Sequence, residues 1–147
     1  MPLGDDEEIY QEHVSDHYED PYHRGSCDQV THAHEDDNPL CGDVVRVELK
    51  IDRGRIQEAW FDGDGCRISQ AAASMLMERI EDTTVSEVKQ FCADEMLQVF
   101  GARLTPKQQQ CCLLPWRVVH AAVQAPIDAE AESAGPTFSG PDLGAES

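Results

Sequence analysis

A regular alternation of apolar and charged residues between Val45 and Asp52 most constrains the fold of this chain. The apolar positions are Val45, Val47, Leu49 and Ile51, and a charged residue directly follows each of them. Because side chains of a strand point alternately to its two faces, this period of two predicts a strand with one buried face. Arg53-Gly54 then predicts a turn, and Arg55 to Phe61 a return strand. The hairpin would place Asp43 and the segment from Asp62 to Cys66 at one edge of a sheet.

Helical segments are predicted on both sides of this hairpin. They are Asp5 to Tyr18, Arg67 to Glu81, Val85 to Val99, and about Leu113 to Val123. The last is placed from Pro115, because proline is tolerated in the first turn of a helix. Gln29 to Ala33 is predicted as a short edge strand. Together the elements predict an α+β domain, in which helices cover one face of a small antiparallel sheet of about three strands.

Three short segments bring thiols to points where the chain turns. They are Asn38 to Asp43, Gly63 to Cys66, and Cys111-Cys112. Cys66 precedes a segment rich in Ala, Leu and Met, so its thiol is predicted at a helix N-terminus, and Cys111 is predicted near the start of its own helix. Free backbone N–H groups and the helix dipole lower a thiol pKa there, which favours the thiolate that binds metals and attacks sulfur.

The charge and the cysteine content narrow the possible partners. The chain has 29 acidic and 11 basic residues and a formal net charge of -18, which argues against binding to nucleic acid or to an anionic membrane. A basic segment followed by an apolar run, as in a signal peptide, is missing, and so is a stretch of membrane-spanning length. We therefore expect a cytoplasmic protein, in which six cysteines act as metal ligands, reactive thiols or buried apolar residues rather than as disulfides.

The three cysteine segments also carry a family resemblance. The chain resembles the IscU/NifU/SufU-type iron-sulfur cluster assembly scaffolds from about Ile9 to Val123, with a SufE/NifU-like fold as the implied architecture. The segments that carry the resemblance are Asn38-Pro39-Leu40-Cys41-Gly42-Asp43, Phe61-Asp62-Gly63-Asp64-Gly65-Cys66-Arg67-Ile68-Ser69, and Cys111-Cys112-Leu113-Leu114-Pro115-Trp116. Their order along the chain is that of the family. Gln110 is a departure, since the position before the third cysteine is usually His or Lys.

The resemblance implies a ligand set of Cys41, Asp43, Cys66 and Cys111. Three soft sulfurs and one oxygen suit tetrahedral zinc or the iron atoms of a cluster. Asp43 implies labile binding, because a carboxylate is a harder and more easily displaced ligand of iron than a thiolate. Taken alone, Cys41-Gly42-Asp43 would be interpreted as an ordinary turn into a strand, and Cys66 could be a buried thiol at a helix start.

Three functions are compatible with these residues. The first is a scaffold and carrier, rather than an enzyme, that binds iron, zinc or a [2Fe-2S] cluster, receives sulfur from a cysteine desulfurase and serves apo iron-sulfur acceptor proteins. The second is a SufU-type zinc-dependent sulfurtransferase, with Cys111 as the persulfide acceptor. The third is a structural zinc domain, which needs no reactive thiol.

The remaining cysteines and histidines are not assigned to the site. Cys92 is predicted to be a helical core residue beside Phe91 and Met96, and Cys112 a bystander of Cys111. Cys27 has no neighbour typical of a metal site. Six histidines are left without a role. The assembly domain is predicted to span residues 1–123, and the acidic segment of residues 124–147 is predicted to be disordered.

Overall fold

A computed structural model of the chain describes residues 12–39 and 42–127. Three strands and five helices follow one another in these ranges. In chain order they are α1 (Glu12–Glu19), β1 (His32–Asn38), β2 (Asp43–Asp52), β3 (Arg55–Asp64), α2 (Arg67–Ile80), α3 (Val85–Gln90), α4 (Ala93–Phe100) and α5 (Pro106–Ala122). The predicted α+β class is therefore confirmed. None of the helices in the described ranges combines the length and the apolar character that crossing a bilayer requires.

The sheet has the strand order β1-β2-β3, and both pairings are antiparallel. The β2-β3 hairpin turns at Arg53 and Gly54, which have φ values of 54° and 76°. Positive φ at both turn residues matches the right-handed twist of the two flanking strands. In the register of the sheet Asp43 pairs with Asn38, and Val44 pairs with Asp64. The start of β2 and the end of β3 thus lie at one edge, as the alternation predicts.

The inner face of the sheet packs against α2 and α5. Val45, Val47 and Leu49 are fully buried on this face, as the period of two requires. Helix α2 is buried around most of its circumference, with Ala71 and Leu76 at 0% exposure. Because α2 lies at the centre of the core, its first turn is held firmly against the sheet edge that carries Asp43.

The predicted helix from Val85 to Val99 is wrong, because the structure divides it into α3 and α4. Phe91 ends α3 in an extended conformation, with φ -76° and ψ 106°. The backbone N–H of Cys92 donates to Glu95 Oε1 at 2.9 Å, so Cys92 begins a new helix. This is the reciprocal half of a capping box, which the sequence does not suggest because cysteine is not a usual N-cap residue.

The helix that carries the third cysteine begins at Pro106, not near Leu113 as predicted. Thr105 is its N-cap, and the side chain of Thr105 accepts a hydrogen bond from the N–H of Gln108 at 3.2 Å. Pro106 occupies the first turn, where proline is tolerated. Pro115 instead lies inside α5, where it has no N–H to donate to the carbonyl of the preceding turn. Packing in the core compensates for that loss.

The first strand also differs from its prediction. The edge strand runs from His32 to Asn38 rather than from Gln29 to Ala33, because Gln29 adopts a positive φ of 58° in a turn. The acidic residues 35–37 pair with β2 in spite of their low strand propensity, since they lie exposed at the sheet edge. Charged residues on an edge strand also disfavour pairing with other chains.

The two ends of the predicted domain lie partly outside the described residues. Helix α1 begins at Glu12, and the earlier part of the predicted helix from Asp5 lies outside the described ranges. At the other end, Ala33 N donates to Ala125 O at 3.2 Å, and Ile127 N donates to Thr31 O at 3.0 Å. Paired structure therefore continues beyond Val123. The prediction of a disordered tail concerns mainly residues 128–147, which are not among those described.

Candidate metal centre

Three of the four predicted ligands come together at the sheet edge. A carboxylate oxygen of Asp43 and the sulfurs of Cys66 and Cys111 all lie within 4.8 Å of one another. The three residues come from the start of β2, the junction of β3 with α2, and helix α5. The fourth predicted ligand, Cys41, lies outside the described residues, two positions before Asp43. Tertiary structure therefore assembles these donors from distant parts of the sequence.

Asp43 is a buried carboxylate fixed by the backbone of Cys66. Its exposure is 0%, since it occupies the inward-facing first position of β2. The N–H of Cys66 donates to Asp43 Oδ1 at 2.8 Å. The second oxygen, Oδ2, lies 3.7 Å from Cys66 Sγ. One oxygen thus anchors the side chain, and the other faces the thiol.

This arrangement requires a residue without a side chain at position 65. Gly65 has a φ of +155°, and a Cβ built there would lie 2.4 Å from Asp43 Oδ1 and 2.9 Å from Ser69 Oγ. Any larger residue would push the carboxylate away from the N–H of Cys66. The Gly-Asp-Gly segment is therefore part of the metal centre and not only a turn.

Cys66 lies at the N-cap of α2, as predicted. Its backbone is extended, with φ -76° and ψ 167°, and the residue is half-buried. Ser69 Oγ donates to the carbonyl of Cys66 at 3.2 Å and lies 4.0 Å from its sulfur. Sequence analysis did not single out Ser69, although its position three residues after an N-cap cysteine was a usable signal. The thiol thus has a hydroxyl on one side and a carboxylate on the other.

Cys111 reaches the centre from inside a helix, which corrects its predicted place near a helix start. It lies in the second turn of α5 and is only 4% exposed. Cys111 therefore lies too far from the N-terminus of α5 for the helix dipole to activate its thiol. The adjacent Cys112 is completely buried, and burial raises its pKa to about 12. Cys112 is thus a protonated, apolar component of the core.

The other described thiols lie outside this group of donors. Cys27 is buried, and desolvation together with the carboxylates of Glu58 and Glu48 raises its pKa to about 11. Cys92 is exposed, so its predicted place in the core is wrong. The six histidines lie in the described ranges, and none of them joins a group of donors there that could hold a metal ion. His13 and His120, for example, contact the carbonyls of Phe100 and Phe91.

The chemistry of the three donors fits a soft or borderline cation. A buried carboxylate is costly unless a cation or several hydrogen bonds compensate its charge. Within residues 12–39 and 42–127, Asp43 forms no ion pair with Lys, Arg or His. A cation at the centre would supply that compensation. Two thiolates and one carboxylate oxygen suit zinc or iron rather than magnesium or calcium, which prefer oxygen ligands throughout.

The chain is similar to known proteins over most of its length. The family described as "NifU-like N terminal domain" matches residues 9–129. The chain is 28% identical to "Iron-sulfur cluster assembly scaffold protein IscU" of Streptococcus pyogenes serotype M1, over 88% of this chain and 92% of that protein. It is also 28% identical to "Zinc-dependent sulfurtransferase SufU" of Bacillus subtilis strain 168, over 78% of this chain and 89% of that protein.

The fold also matches that of a solved structure. The solved structure of a nitrogen-fixing NifU-like protein (N-terminal) from Brucella abortus superposes with a TM-score of 0.69, at 16% identity, covering 82% of this chain and 96% of that one. The family match spans most of the sequence, including the segments that supply Asp43, Cys66 and Cys111. This chain therefore belongs to the family of the NifU-like N terminal domain.

Proposed function

We propose that this protein is an iron-sulfur cluster assembly scaffold. It binds iron or zinc through Cys41, Asp43, Cys66 and Cys111, receives sulfur from a cysteine desulfurase and passes cluster or sulfur to acceptor proteins. The observation that supports this proposal most is the convergence of two thiols and one buried carboxylate within 4.8 Å. Relatives from Streptococcus pyogenes and Bacillus subtilis, named for cluster assembly and sulfur transfer, support the same chemistry.

The mixed ligand set favours a scaffold over a structural zinc domain. Structural zinc sites use cysteine and histidine in a closed shell, whereas here one ligand is a carboxylate oxygen. The N–H of Cys66 holds Oδ1 of Asp43, so only Oδ2 is turned toward the sulfur. A single carboxylate oxygen is a weak competitor with sulfur for iron. Asp43 is thus the ligand that an incoming sulfur would displace.

Zinc-dependent sulfur transfer is a second candidate that uses the same residues. The Cys111 thiolate would attack the terminal sulfur of a desulfurase persulfide, forming a new S–S bond to Cys111 while the desulfurase cysteine leaves as a thiolate. Because Cys111 is buried, this step requires the desulfurase to open the centre or α5 to shift. The donors that favour this function are the same as those of the scaffold, since zinc accepts two or three thiolates and one oxygen.

Anaerobic reconstitution separates these functions. The protein is incubated with iron, a cysteine desulfurase and cysteine, and the absorption spectrum is then compared with that of Cys66→Ser treated identically. A scaffold gives cluster bands in the parent chain and none in the variant. If no cluster bands form and the protein binds zinc tightly in a separate titration, the assignment moves to the sulfurtransferase. If neither metal binds, both functions are excluded.

A further inference from the structure

Gln70 is the least satisfied polar side chain in the described part of the chain. It is 4% exposed, and neither Oε1 nor Nε2 has a hydrogen-bond partner among the described residues. Its neighbours on α2 differ, since the hydroxyls of Ser69 and Ser74 are both bonded. A buried amide with both ends unpaired is destabilising, and such a group calls for an explanation.

The position of Gln70 relates it to the metal centre. Its backbone N–H donates to the carbonyl of Cys66 at 3.2 Å, so Gln70 lies one helical turn after the thiol. Side chains of an α-helix lean toward its N-terminus and cover the preceding turn. A glutamine at this position is therefore carried back to the level of Cys66. Ser69, the adjacent residue, already lies 4.0 Å from the sulfur.

The opposite direction along α2 is occupied. Ser74, one turn after Gln70, accepts from the N–H of Tyr22 at 2.7 Å, and its hydroxyl lies 2.7 Å from His17 Nδ1. Those groups fasten the segment around α1 to α2, and Gln70 is not part of their network. Ser74 is thus bonded toward α1, whereas Gln70 has no such partner and lies one turn closer to the thiol.

We propose that Gln70 is a further binding residue of the metal centre, whose amide N–H donates to a sulfur held there. The sulfur is the thiolate of Cys66 when that thiolate is bound to metal. This inference rests on the proposed function. A sulfur with negative charge accepts such a bond more strongly than a neutral thiol, so the amide favours the loaded centre over the empty one. The lack of an internal hydrogen-bond partner for this amide then has a functional reason.

The test compares stability and metal affinity in two variants of the full chain. Gln70→Met keeps the length of the side chain and removes the amide, so the metal-free variant should unfold at the same or a higher temperature than the parent. Its affinity for Co²⁺, measured by absorption during competition with a chelator, should fall about tenfold to hundredfold. Gln70→Leu is a second variant with the same expected result.

Ser74→Ala is the matched control, a buried polar residue on the same face of α2 with internal partners. It should lower the unfolding temperature without changing Co²⁺ affinity. Equal affinity in Gln70→Met and the parent would overturn the inference and leave the proposed function intact. A fall in stability of metal-free Gln70→Met as large as that of Ser74→Ala would also overturn it, since the amide would then be bonded inside the empty protein. Failure of the parent itself to bind Co²⁺ would remove both.

Discussion

The two sides of the metal centre are built in different ways. On the hairpin side, Asp43 and Cys66 are joined by a hydrogen bond from a backbone N–H, and Gly65 permits their close approach. On the helix side, Cys111 is carried by α5, which contains Pro115 one turn later. A backbone bond fixes the first pair locally, whereas the place of Cys111 depends on how α5 packs. We therefore expect the thiol of Cys66 to stay in place, and the thiol of Cys111 to move with α5, when sulfur arrives.

The largest expected effect comes from breaking the hairpin side at Gly65. Gly65→Ala puts a methyl group within 2.4 Å of Asp43 Oδ1 in a backbone conformation that L-residues rarely adopt. We expect a loss of stability of about 3 kcal/mol, measured by urea unfolding. Metal binding, measured by Co²⁺ titration, should also be lost, because the strain at Gly65 displaces the adjacent ligand Cys66 as well as Asp43.

Gly54→Ala is the control for this change. Gly54 also has a positive φ, +76°, but a Cβ there would have no atom within 4 Å. It should cost only about 1 to 2 kcal/mol and leave metal binding intact. Equal effects of the two variants on metal binding would show that the close approach of other groups to Gly65 is not what matters.

The second prediction separates ligand thiols from the others. Cys66→Ser should reduce bound metal from about one ion per chain to almost none, because one sulfur ligand is replaced by a poor one. Cys27→Ser and Cys92→Ser should bind as the parent does, since neither belongs to the converging group. Metal analysis of the purified proteins measures this. Similar losses in all three variants would show that the ligands are misassigned.

The third prediction concerns the carboxylate. Asp43→Ala should retain a preformed cluster longer than the parent, by several-fold, and transfer it more slowly to an apo-ferredoxin. Asp43→Asn keeps an oxygen that can accept from the N–H of Cys66, so it separates loss of that bond from loss of the charged ligand. Faster cluster loss from Asp43→Ala without an acceptor would contradict the displaceable-ligand account and favour a structural zinc site.

The last prediction distinguishes the thiols by their reactivity and leaves metal binding unchanged. Burial raises the pKa of Cys112 to about 12 and that of Cys27 to about 11, so at pH 8 each is almost entirely protonated. Alkylation of the native protein at that pH should modify the exposed Cys92 and leave both buried thiols about a hundredfold to a thousandfold slower. Raising the pH toward these pKa values should speed their reaction. Rapid labelling of Cys112 at pH 8 would indicate that α5 opens readily.

The hairpin side could be predicted from the sequence, because local patterns determine it. Alternation in β2, the turn at Arg53-Gly54 and the helix-forming segment after Cys66 each depend on neighbouring residues. The helix side could not be predicted in the same way. Pro115 is tolerated inside α5 only because the packed core compensates for it, and a rule about local sequence placed the helix start seven residues too late.

Two further features could not be predicted from the sequence. The cap at Cys92 divides a continuous helical pattern through a single bond to Glu95, which local propensity does not reveal. Gln70 appears in the sequence as one polar residue in an apolar helix, and only its burial without partners marks it. Both cases depend on hydrogen bonding, which a pattern of apolar and polar residues does not encode.

X-ray absorption at the zinc edge tests the central claim most directly, because it measures the ligands around the ion in the loaded protein. The account predicts three sulfurs at about 2.3 Å and one oxygen at about 2.0 to 2.2 Å. In Asp43→Ala, the sulfur shell should remain unchanged while the carboxylate oxygen is replaced. A shell made only of nitrogen and oxygen in the parent would contradict the assignment of Cys41, Asp43, Cys66 and Cys111 as the ligands. So would a shell that still contains three sulfurs in Cys66→Ser.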